Sequence, residues 1–510
     1  MIEPPGRGGS PTLGRKVNDM PEMMDIVQIK HEVLKATAAH AFEGRIYDDY
    51  DAIPYEIIPG IRPNFRCCVY REREIVRQRV RMAMGKLPQD VMYTDADPSQ
   101  VVHVIPSACE GCPITKITVT QNCQSCLAKK CAKACPFGAI TTTPRGAIID
   151  QEKCRKCGKC IAACPYNAIV EIERPCKKSC PVKAISMDDN DIATIDPKKC
   201  INCGACVAGC PFGAISDVSM MTSVISALLD ESKEVVALVA PAIEGQFGAA
   251  TLNQIKAAIK RLGFADVYEV ALGADLVAYN EAEELLEHKA AGKPLTSSCC
   301  PAFVSLVRKH FPDLLSFVST TVSPMVAAER YIRTQRPDVV TVFIGPCIAK
   351  KNEVMSQYIE ELDYVLTFEE LYAMICAKGV DEDIEAVPGD GEEDATRYGK
   401  GFALAGGVTA AVQRVLEEKG TQEPVSVTKC SGADECRKAL MLLKAGKLTD
   451  DFIEGMACAG GCMGGPATLL ELQKSKKVFE TRLNGAQSIS ENVARHGGEG
   501  TDIHRHSAGA

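Results

Sequence analysis

The sequence contains no tryptophan, and aromatic residues make up only 5% of its 510 residues. Aromatic side chains are the usual stacking platforms for single-stranded nucleic acid, so this scarcity argues against such a role. An excess of basic residues is also missing, because the formal net charge is −8. That charge argues against a general nucleic-acid or membrane-surface partner. No apolar run approaches the length of a membrane span, and the opening stretch MIEPPGRGGSPTLGRK lacks the apolar core of a signal peptide.

Cysteine, in contrast, is abundant. The chain has 26 cysteines, and 16 of them lie between Cys109 and Cys210. A secreted disulfide scaffold is usually short, whereas this chain has long stretches of ordinary core-forming sequence. We therefore expect a cytoplasmic protein whose reduced thiols bind metal.

Changes in composition and hydrophobic pattern along the sequence divide the chain into five parts. We expect a disordered N-terminus (1–20), a helical segment (21–100), a cysteine-dense region (101–216), an α/β domain (217–473) and a polar, partly disordered tail (474–510). In the α/β domain, apolar runs such as EVVALVAP and VVTVFIGPC predict buried strands. They alternate with helical patterns such as EAEELLEHKAA and SPMVAAERYIRT.

The helical segment contains REREIVRQRVRMAMG, in which four apolar residues predict a stripe on a charged helix: Ile75, Val76, Val80 and Met82. We interpret it as a packing or docking helix. The two cysteines before it, Cys67 and Cys68, are expected to be additional core thiols rather than metal ligands.

Four copies of Cys-Pro-x-x-Ala-Ile, beginning at Cys135, Cys164, Cys180 and Cys210, form an internal repeat in the cysteine-dense region. The run from Cys154 to Cys164 has the spacing C-x2-C-x2-C-x3-C-P of bacterial ferredoxins, in which three cysteines bind one 4Fe-4S cluster and the fourth binds its neighbour. The run ending at Cys210 repeats that spacing, and the run ending at Cys135 differs by a two-residue insertion. Zinc is the alternative, but structural zinc pairs lack the third cysteine and the Cys-Pro step.

Crossed pairing of these runs assigns all 16 cysteines to four 4Fe-4S clusters. The first thiol set is Cys123, Cys126, Cys131 and Cys164, and the second is Cys135, Cys154, Cys157 and Cys160. The third thiol set is Cys180, Cys200, Cys203 and Cys206. The fourth set consists of the remaining cysteines: Cys109, Cys112, Cys176 and Cys210. It requires the CxxC pair at Cys109 and Cys112 to complete the motif Cys176-x3-Cys180-Pro, which lacks a CxxC pair of its own.

Four more cysteines lie in unusual settings: Cys300 in SSCCPAF, Cys347 in GPCIAKKNE, and Cys458 and Cys462 in EGMACAGGC. Together they supply enough thiolates for one further cubane cluster, and the glycines beside them allow backbone to approach a bulky cofactor closely. Because these ligands are dispersed, the site forms only in the folded domain. We refer to them as the dispersed thiol set.

These motifs resemble those of the iron-only (FeFe) hydrogenases. The family patterns TSCCP, PCxxKxxE and MACxxGC are matched by Ser297–Pro301, Pro346–Glu353 and Met456–Cys462. The resemblance implies an α+β, α/β multidomain protein in which ferredoxin-like 4Fe-4S domains precede an α/β H-cluster domain. It also implies reversible conversion of protons and electrons into H2. The H-cluster is a 4Fe-4S cubane joined to a di-iron subsite with CO, cyanide and azadithiolate.

Carried over by residue, the resemblance implies that the dispersed thiol set binds the cubane and that Cys462 bridges to the di-iron subsite. Lys350 would donate to a cyanide. Three residues would line the di-iron pocket: Pro241, Ala242 and Met456. Protons would pass between the pocket and solvent through a relay that consists of Cys299, Glu281, Ser319 and Glu284. Taken alone, two glutamates on an acidic helix more often mark a solvated face.

The sequence also departs from the family pattern. Gly345 stands where well-studied members have methionine, Phe303 replaces a tryptophan, and Met325 replaces a glutamine. After Cys462 the sequence MGGPATL replaces the usual GGGQP. These features resemble the divergent group B, and they predict altered contacts around the di-iron subsite. Three cysteines have no family match and are interpreted as buried or surface thiols: Cys376, Cys430 and Cys436.

Two other functions remain open from the sequence. One is a regulatory H2 sensor, although the chain shows no appended signalling domain; the other is a hydrogenase-like iron–sulfur assembly protein without the di-iron unit. The partners implied by the resemblance are H2, protons, a small ferredoxin or similar electron carrier, and maturation enzymes. We expect no nucleic-acid or membrane partner.

Overall fold

The computed structural model describes residues 25–89, 100–110, 112, 116–358, 360–381, 384, 395–421, 424–496 and 501–505. The predicted disorder of residues 1–20 lies outside these ranges. Among the residues that are described, no helix combines the length and the apolar character needed to cross a membrane.

The N-terminal segment is helical, as predicted, with α1 (Ile26–Phe42), α2 (Ile46–Asp49), α3 (Ile53–Ile57) and α4 (Val69–Ala83). Helix α1 begins at a capping box in which Asp25 and Gln28 exchange backbone-to-side-chain hydrogen bonds. The four apolar residues of the predicted stripe on α4 are all buried. The prediction of core thiols is wrong for Cys67, which is exposed, and Cys68 is half-buried at the start of α4. The chain around them is the loop before α4, whose Asn64, Phe65 and Arg66 amides donate inward to Glu72.

The cysteine-dense region consists of short elements: β1 (Val102–Val104), β2 (Lys116–Val119), α5 (Lys130–Lys133), β3 (Ile140–Thr143), β4 (Gly146–Ile149), α6 (Lys159–Ala163), β5 (Ile169–Ile172), α7 (Pro175–Ser179), β6 (Ile185–Met187), β7 (Ala193–Ile195), α8 (Ala205–Gly209) and β8 (Ile215–Asp217). Antiparallel pairs form between β1 and β8, β2 and β5, β3 and β4, and β6 and β7. This is the ferredoxin-like architecture expected from the sequence.

The repeated Cys-Pro-x-x-Ala-Ile motif has one structural explanation. In three of the copies the alanine N–H donates to the cysteine sulfur at 3.2 to 3.4 Å, from Ala139, Ala184 and Ala214. The alanine and isoleucine of every copy are buried. The motif therefore fixes the sulfur with a backbone hydrogen bond and anchors the turn in a small core.

The remaining elements form the α/β domain and the segment after it. They are α9 (Met221–Leu229), β9 (Val235–Val239), α10 (Leu252–Arg261), β10 (Asp266–Glu269), α11 (Val270–Ala290), β11 (Leu295–Thr296), α12 (Pro301–His310), α13 (Pro324–Gln335), β12 (Val340–Gly345), α14 (Ile348–Gln357), β13 (Tyr364–Thr367), α15 (Phe368–Ala377), α16 (Arg397–Gly401), α17 (Gly407–Glu418), β14 (Val427–Ser431), α18 (Ala433–Lys444), β15 (Phe452–Met456), α19 (Leu472–Arg482) and α20 (Ile489–Arg495).

Two parallel sheets organise this domain, with strand orders β10-β9-β12-β13 and β11-β15-β14. Every residue of β9 and of β15 is buried, as expected for parallel strands covered by helices on both faces. The three cysteine motifs follow β11, β12 and β15, and Pro241 follows β9. Parallel strands end at the same edge of their sheet, and ligand sites in α/β folds form there. The topology thus collects the motifs at one place.

A buried ion-pair cluster joins the cysteine-dense region to the α/β domain. The Lys351 ammonium is fully buried and lies 2.6 Å from Asp217 Oδ2 and 2.8 Å from Glu370 Oε1. Burial lowers the pKa of this lysine, but the two carboxylates more than offset that effect and raise its pKa. The lysine is therefore charged, and the α14 helix is fixed against β8.

The tail differs from the prediction. Residues 474–510 were expected to be polar and partly disordered, but α19 and α20 occupy much of the first half. Ile503 is also buried in the core, and its carbonyl accepts from the Val322 N–H at 2.8 Å. The expectation of a disordered end is wrong for residues 501–505, because one isoleucine anchors this polar segment. Residues 506–510 lie outside the described part of the chain.

Candidate active site and accessory thiol sets

A cavity lies at the carboxyl edges of the two parallel sheets. Its walls are almost entirely apolar. The dispersed thiol set and Cys299 all line it. So do the other residues predicted for this site: Pro241, Ala242, Lys350 and Met456. The structure therefore brings together the predicted ligands and pocket residues from four separate segments.

The four dispersed thiols are mutual neighbours. Burial raises the pKa of the Cys458 thiol well above its usual value, and the proximity of Cys347, Cys300 and Cys462 raises it further. Burial likewise raises the pKa of the Cys347 thiol. Four thiols facing one apolar cavity are enough to supply the four thiolates that a cubane iron–sulfur cluster requires. In the described ranges, no group of three or more histidine, cysteine, aspartate or glutamate side chains is arranged to hold a single metal ion.

Glycines let the cysteine loops approach each other around this cavity. A Cβ on Gly461 would lie 2.6 Å from the Ala403 carbonyl oxygen, and one on Gly465 would lie 2.6 Å from the Pro346 carbonyl oxygen. Gly461 also has a φ of +81°, in the left-handed region. A side chain at either position would force the loops apart.

Lys350 is the cation in the cavity wall. Its Nζ donates to Glu353 Oε2 at 2.8 Å, and both side chains are buried. The nearby Lys350 charge lowers the pKa values of the Cys347 and Cys462 thiols, although burial of each thiol is the larger effect and raises them. Glu353 therefore positions a cation that favours anionic ligands in this cavity.

The predicted relay begins at Glu281, which is fully buried on α11. The backbone N–H and the hydroxyl of Ser298 both donate to Glu281 Oε1 at 3.0 Å. Glu281 Oε2 is buried and has no hydrogen-bond partner within the structure's described residues. Burial raises the pKa of Glu281 to about 7, with a smaller contribution from Glu284, while the Ser298 hydrogen bonds lower it.

Ser319 lies between the two relay carboxylates. Its hydroxyl donates to Glu284 Oε2 at 2.7 Å, and it is close enough to Glu281 to lower the pKa of that carboxyl. Glu284 also accepts from the Thr320 N–H at 2.8 Å and is partly exposed. At the inner end, burial and the proximity of Glu281 raise the pKa of the Cys299 thiol. The four relay residues thus form a line from the cavity toward the surface, and Glu281 is not on a solvated face.

The sequence did not point to the C-terminal tail as part of this arrangement. The Arg505 guanidinium donates through Nη2 to the Ser298 carbonyl oxygen at 3.3 Å, and the Arg505 N–H donates to the Thr320 carbonyl oxygen at 2.8 Å. Ser298 and Thr320 are themselves the donors to the relay carboxylates. The only available signal was Ile503, an isolated apolar residue in a polar segment.

The departures from the family pattern have packing explanations. A Cβ on Gly345 would lie 2.6 Å from the Phe343 ring, which lines the cavity. The Phe343 ring therefore occupies the space that a side chain at position 345 would need. Phe303 is fully buried against Gly455, where a Cβ would meet its ring. Met325 is also fully buried and lines the cavity. Of the unmatched cysteines, Cys376, Cys430 and Cys436 are all buried.

In the first two accessory thiol sets, the structure places one crossing pair of cysteines from each set close together. Burial raises the pKa of the Cys131 thiol, and nearby thiols, one of which is Cys164, raise it further. Burial also raises the pKa of the Cys160 thiol, and nearby thiols, one of which is Cys135, add to this effect. The crossing partners are therefore neighbours across the loops. The remaining members lie on the same loops: Cys123, Cys126, Cys154 and Cys157.

The third thiol set adjoins the dispersed set. Burial raises the pKa of the Cys206 thiol, and so do the other three members, Cys203, Cys200 and Cys180. Cys203 is in turn a neighbour of Cys300 and of Cys458. The two sets therefore meet across the boundary between the cysteine-dense region and the α/β domain.

The fourth thiol set is also assembled. Burial and, to a smaller extent, the proximity of the other members, Cys210, Cys109 and Cys112, raise the pKa of Cys176 to about 11. The upstream CxxC pair therefore lies beside the split motif that it was predicted to complete.

A ferredoxin-like region joined to an α/β domain with four thiols around an apolar cavity defines an iron–sulfur protein with a buried cofactor site. The model of the iron-only hydrogenase large subunit, C-terminal domain, matches residues 233–466. A 4Fe-4S binding domain matches residues 147–170, and the LdpA Fe-S cluster-binding domain matches residues 170–221.

Two curated relatives extend this match. The chain is 29% identical to iron hydrogenase 1 of Clostridium pasteurianum over 63% of this chain and 64% of that protein. It is 31% identical to the periplasmic Fe hydrogenase large subunit of Nitratidesulfovibrio vulgaris over 48% of this chain and 71% of that protein. The chain belongs to the iron-only hydrogenase family. It spans slightly less than two thirds of the Clostridium protein.

Weaker matches were also found. The chain is 29% identical to the cytosolic Fe-S cluster assembly factor NAR1 of Meyerozyma guilliermondii over 23% of this chain and 25% of that protein. An FeFe-hydrogenase structure from Chlamydomonas reinhardtii superposes with a TM-score of 0.48 at 24% identity, covering 55% of this chain and 93% of that one.

Proposed function

We propose that this protein is an FeFe hydrogenase that reversibly converts two protons and two electrons into H2 at an H-cluster. The observation that carries this proposal is the line of Cys299, Glu281, Ser319 and Glu284, which leads from the thiol-lined cavity to a partly exposed carboxyl group. A thiol, a carboxyl group, a hydroxyl and a second carboxyl group are proton-transfer groups, and they would have no purpose beside a cluster that only transfers electrons.

The cavity suits the proposed cofactor in donor chemistry and in polarity. The dispersed thiol set would hold the cubane, with Cys462 bridging to the di-iron subsite, and Pro241, Ala242 and Met456 would line the pocket around it. Lys350 would donate to a cyanide ligand, because a buried cation stabilises an anion. When bound, the H-cluster supplies the metal centre at which protons and electrons combine.

The protein's own residues would exclude water and move protons. Cys299 exchanges a proton between the cavity and Glu281. Because the Glu281 pKa is about 7, this carboxyl group can both accept and donate a proton near neutral pH. Ser319 connects the two carboxyl groups, and the partly exposed Glu284 exchanges the proton with solvent.

Electrons would reach the cavity through 4Fe-4S clusters in the accessory thiol sets, of which we propose four. The third set is the last step, since Cys203 neighbours Cys300 and Cys458. A small ferredoxin or similar carrier would exchange electrons with this chain, and maturation enzymes would insert the di-iron unit.

The match to NAR1 supports one alternative, an iron–sulfur assembly protein without the di-iron unit. Such a protein needs the thiol sets but no proton relay, so the intact relay argues for the hydrogenase. An H2-sensing protein is a further alternative that would retain the cofactor.

Reconstitution of the purified protein with the di-iron precursor tests the proposal. We expect infrared bands of CO and cyanide together with H2 turnover. Bands without turnover would favour the sensor, and no bands after complete cubane loading would favour the assembly protein. Iron and sulfide analysis gives the number of clusters, and only about eight iron atoms in the cysteine-dense region would contradict four.

A further inference from the structure

Helix α4 directs one arginine into the protein, against the turn that carries Cys210. The Arg79 side chain is buried, and its Nη2 donates to the Gly213 carbonyl oxygen at 2.5 Å. The Gly213 N–H in turn donates to the Cys210 carbonyl oxygen at 2.9 Å. The guanidinium therefore contacts the end of the short turn that presents one thiol of the fourth set.

Arg79 is a buried cation without a carboxylate in contact. Within the described residues it forms no ion pair, and its Nε is buried without a hydrogen-bond partner. The groups whose charges act on it are Cys210, Arg66 and Glu369. Three carboxylates line the same small cavity, and each is paired with a lysine: Glu369 with Lys30, and Asp217 and Glu370 with Lys351. Burial lowers its pKa only to about 10, so it is charged at neutral pH. An uncompensated buried charge is strongly destabilising, so a negative charge is needed nearby.

A second buried arginine lies beside the same thiol set, at the start of the α7 helix that carries Cys176. Arg174 is buried, its Nη1 donates to the Asp191 carbonyl oxygen at 2.6 Å, and its Nε has no hydrogen-bond partner in the described structure. It lies close enough to lower the pKa of the Cys112 thiol, although burial of that thiol raises its pKa more. Its carboxylate partner, Asp191 at 3.6 Å, is half exposed and screened by water.

Arg79 and Arg174 are the buried arginines of the described chain, and both face the fourth thiol set. Four protonated thiols carry no charge and cannot balance them. A 4Fe-4S cluster with four thiolates is a dianion when oxidised and a trianion when reduced, so a bound cluster would place negative charge beside both arginines. Because the reduced cluster is the more negative, nearby buried cations stabilise it more than the oxidised cluster.

We propose that Arg79 and Arg174 raise the reduction potential of the cluster bound by the fourth thiol set. The step is a one-electron transfer from a low-potential carrier to the cluster, and no bond forms or breaks. This inference rests on the proposed cluster assignment. It also gives the N-terminal helices a role, because α4 supplies one of the two charges.

An EPR-monitored redox titration of the full chain, loaded with 4Fe-4S clusters but not with the di-iron unit, tests this. Arg79→Gln and Arg174→Gln should each shift one cluster signal to lower potential and leave the others in place. Cys176→Ser should abolish that same signal and identify it as the fourth set. Two glutamine variants are used so that a folding failure in one leaves the other informative.

Two further variants distinguish an effect of the Arg79 charge on the cluster potential from an effect of the substitution itself. Arg79→Lys should keep most of the wild-type potential, because it preserves the charge. Arg77→Gln is the matched control on the same helix, since Arg77 points outward to Glu74 and Asp51, and it should shift nothing.

Three results would overturn the inference. Unchanged potentials in both glutamine variants with full iron content would overturn this inference and leave the cluster assignment standing. An equal shift in Arg79→Lys and Arg79→Gln would have the same consequence. If Cys176→Ser removed neither iron nor a signal, the fourth cluster itself would be wrong and the inference would fall with it.

Discussion

The Arg505 guanidinium donates to the Ser298 carbonyl oxygen, and Ser298 donates both its N–H and its hydroxyl to the buried carboxyl group of Glu281. Arg505 therefore supports the donor that fixes the first carboxyl group of the proposed proton relay. Positioning of this kind affects rate strongly, because proton transfer requires hydrogen-bond distances.

Arg505→Ala should consequently lower H2 turnover several-fold while iron content stays at the wild-type value. The physical reason is that Ser298 loses the contact that fixes its backbone beside Glu281. Turnover of the reconstituted enzyme and the infrared carboxyl band of Glu281 are the measurements, with Lys477→Ala, an exposed tail substitution, as the control. Unchanged turnover and an unchanged carboxyl band would mean that the tail only covers the surface.

Cys299→Ser should retain every cluster and lose turnover by a factor on the order of 10² or more, the usual contribution of a positioned proton donor. The reason is that a serine hydroxyl is far less acidic than a thiol. Infrared bands and iron content report cofactor retention, and an H2 assay reports turnover. Cys67→Ser, at an exposed thiol, is the control. Full activity in Cys299→Ser would remove this residue from the relay.

Ser319→Ala should slow turnover about 10-fold or more, because Glu284 loses its hydroxyl donor and the link to Glu281 is cut. A larger solvent deuterium isotope effect should accompany the loss, since proton transfer becomes rate-limiting. Ser316→Ala, at an exposed serine of the same segment, should change neither quantity. An unaltered isotope effect in Ser319→Ala would indicate another proton route.

The Glu281 carboxyl group should make stability depend on pH. Its pKa is about 7 in the folded protein against 4.5 ordinarily, so between these values the folded state binds more protons than the unfolded state. Raising the pH through this window therefore destabilises the wild type, and Glu281→Gln removes that loss. The variant's stability relative to wild type should rise by up to about 3 kcal/mol and level off above pH 7.

Thermal unfolding at a series of pH values measures this difference. Glu283→Gln is the matched control, because Glu283 lies on the same helix with half of its side chain exposed and pairs with Lys419. A difference between Glu281→Gln and wild type that did not change with pH would show that Glu281 titrates normally.

Lys351→Met should destabilise the protein by about 3–5 kcal/mol, because Asp217 and Glu370 would keep buried charges without a cation. Thermal unfolding measures the loss. Lys153→Met, which breaks an exposed pair with Asp150, should change stability by less than about 1 kcal/mol. Similar effects in the two variants would mean that water reaches Lys351.

The sequence predicted the parts of this protein whose patterns are local. Cysteine spacing predicted the crossed neighbours Cys131 and Cys164, because short loops fix thiol positions through chain geometry alone. The apolar runs predicted β9 and β12, because a parallel strand buried on both faces needs little else. The resemblance to a family predicted the cavity residues, whose assembly depends on the ends of distant strands.

Long-range contacts were not predictable in this way. Nothing near Arg505 in the sequence indicates Ser298, since the two residues meet only after the tail folds back over α13. The inward direction of Arg79 was equally hidden, because α4 carries several arginines of identical chemistry and only packing distinguishes them. The exposed position of Cys67 depends on a loop whose amides are bound by Glu72, a contact that composition does not reveal.

Gly204, at the start of α8, packs so closely on the α/β domain that a Cβ there would lie 2.6 Å from Pro466 and 2.8 Å from Ile348. The contact between α8 and the α/β domain, next to Cys203, therefore depends on the particular residues that pack there. If the proposed electron-input region were exchanged for a foreign ferredoxin, cutting the chain after β8 would remove the glycine on which this packing depends. The exchange would have to leave α8 and its glycine in place, and replace only the modules that lie farther from the cavity.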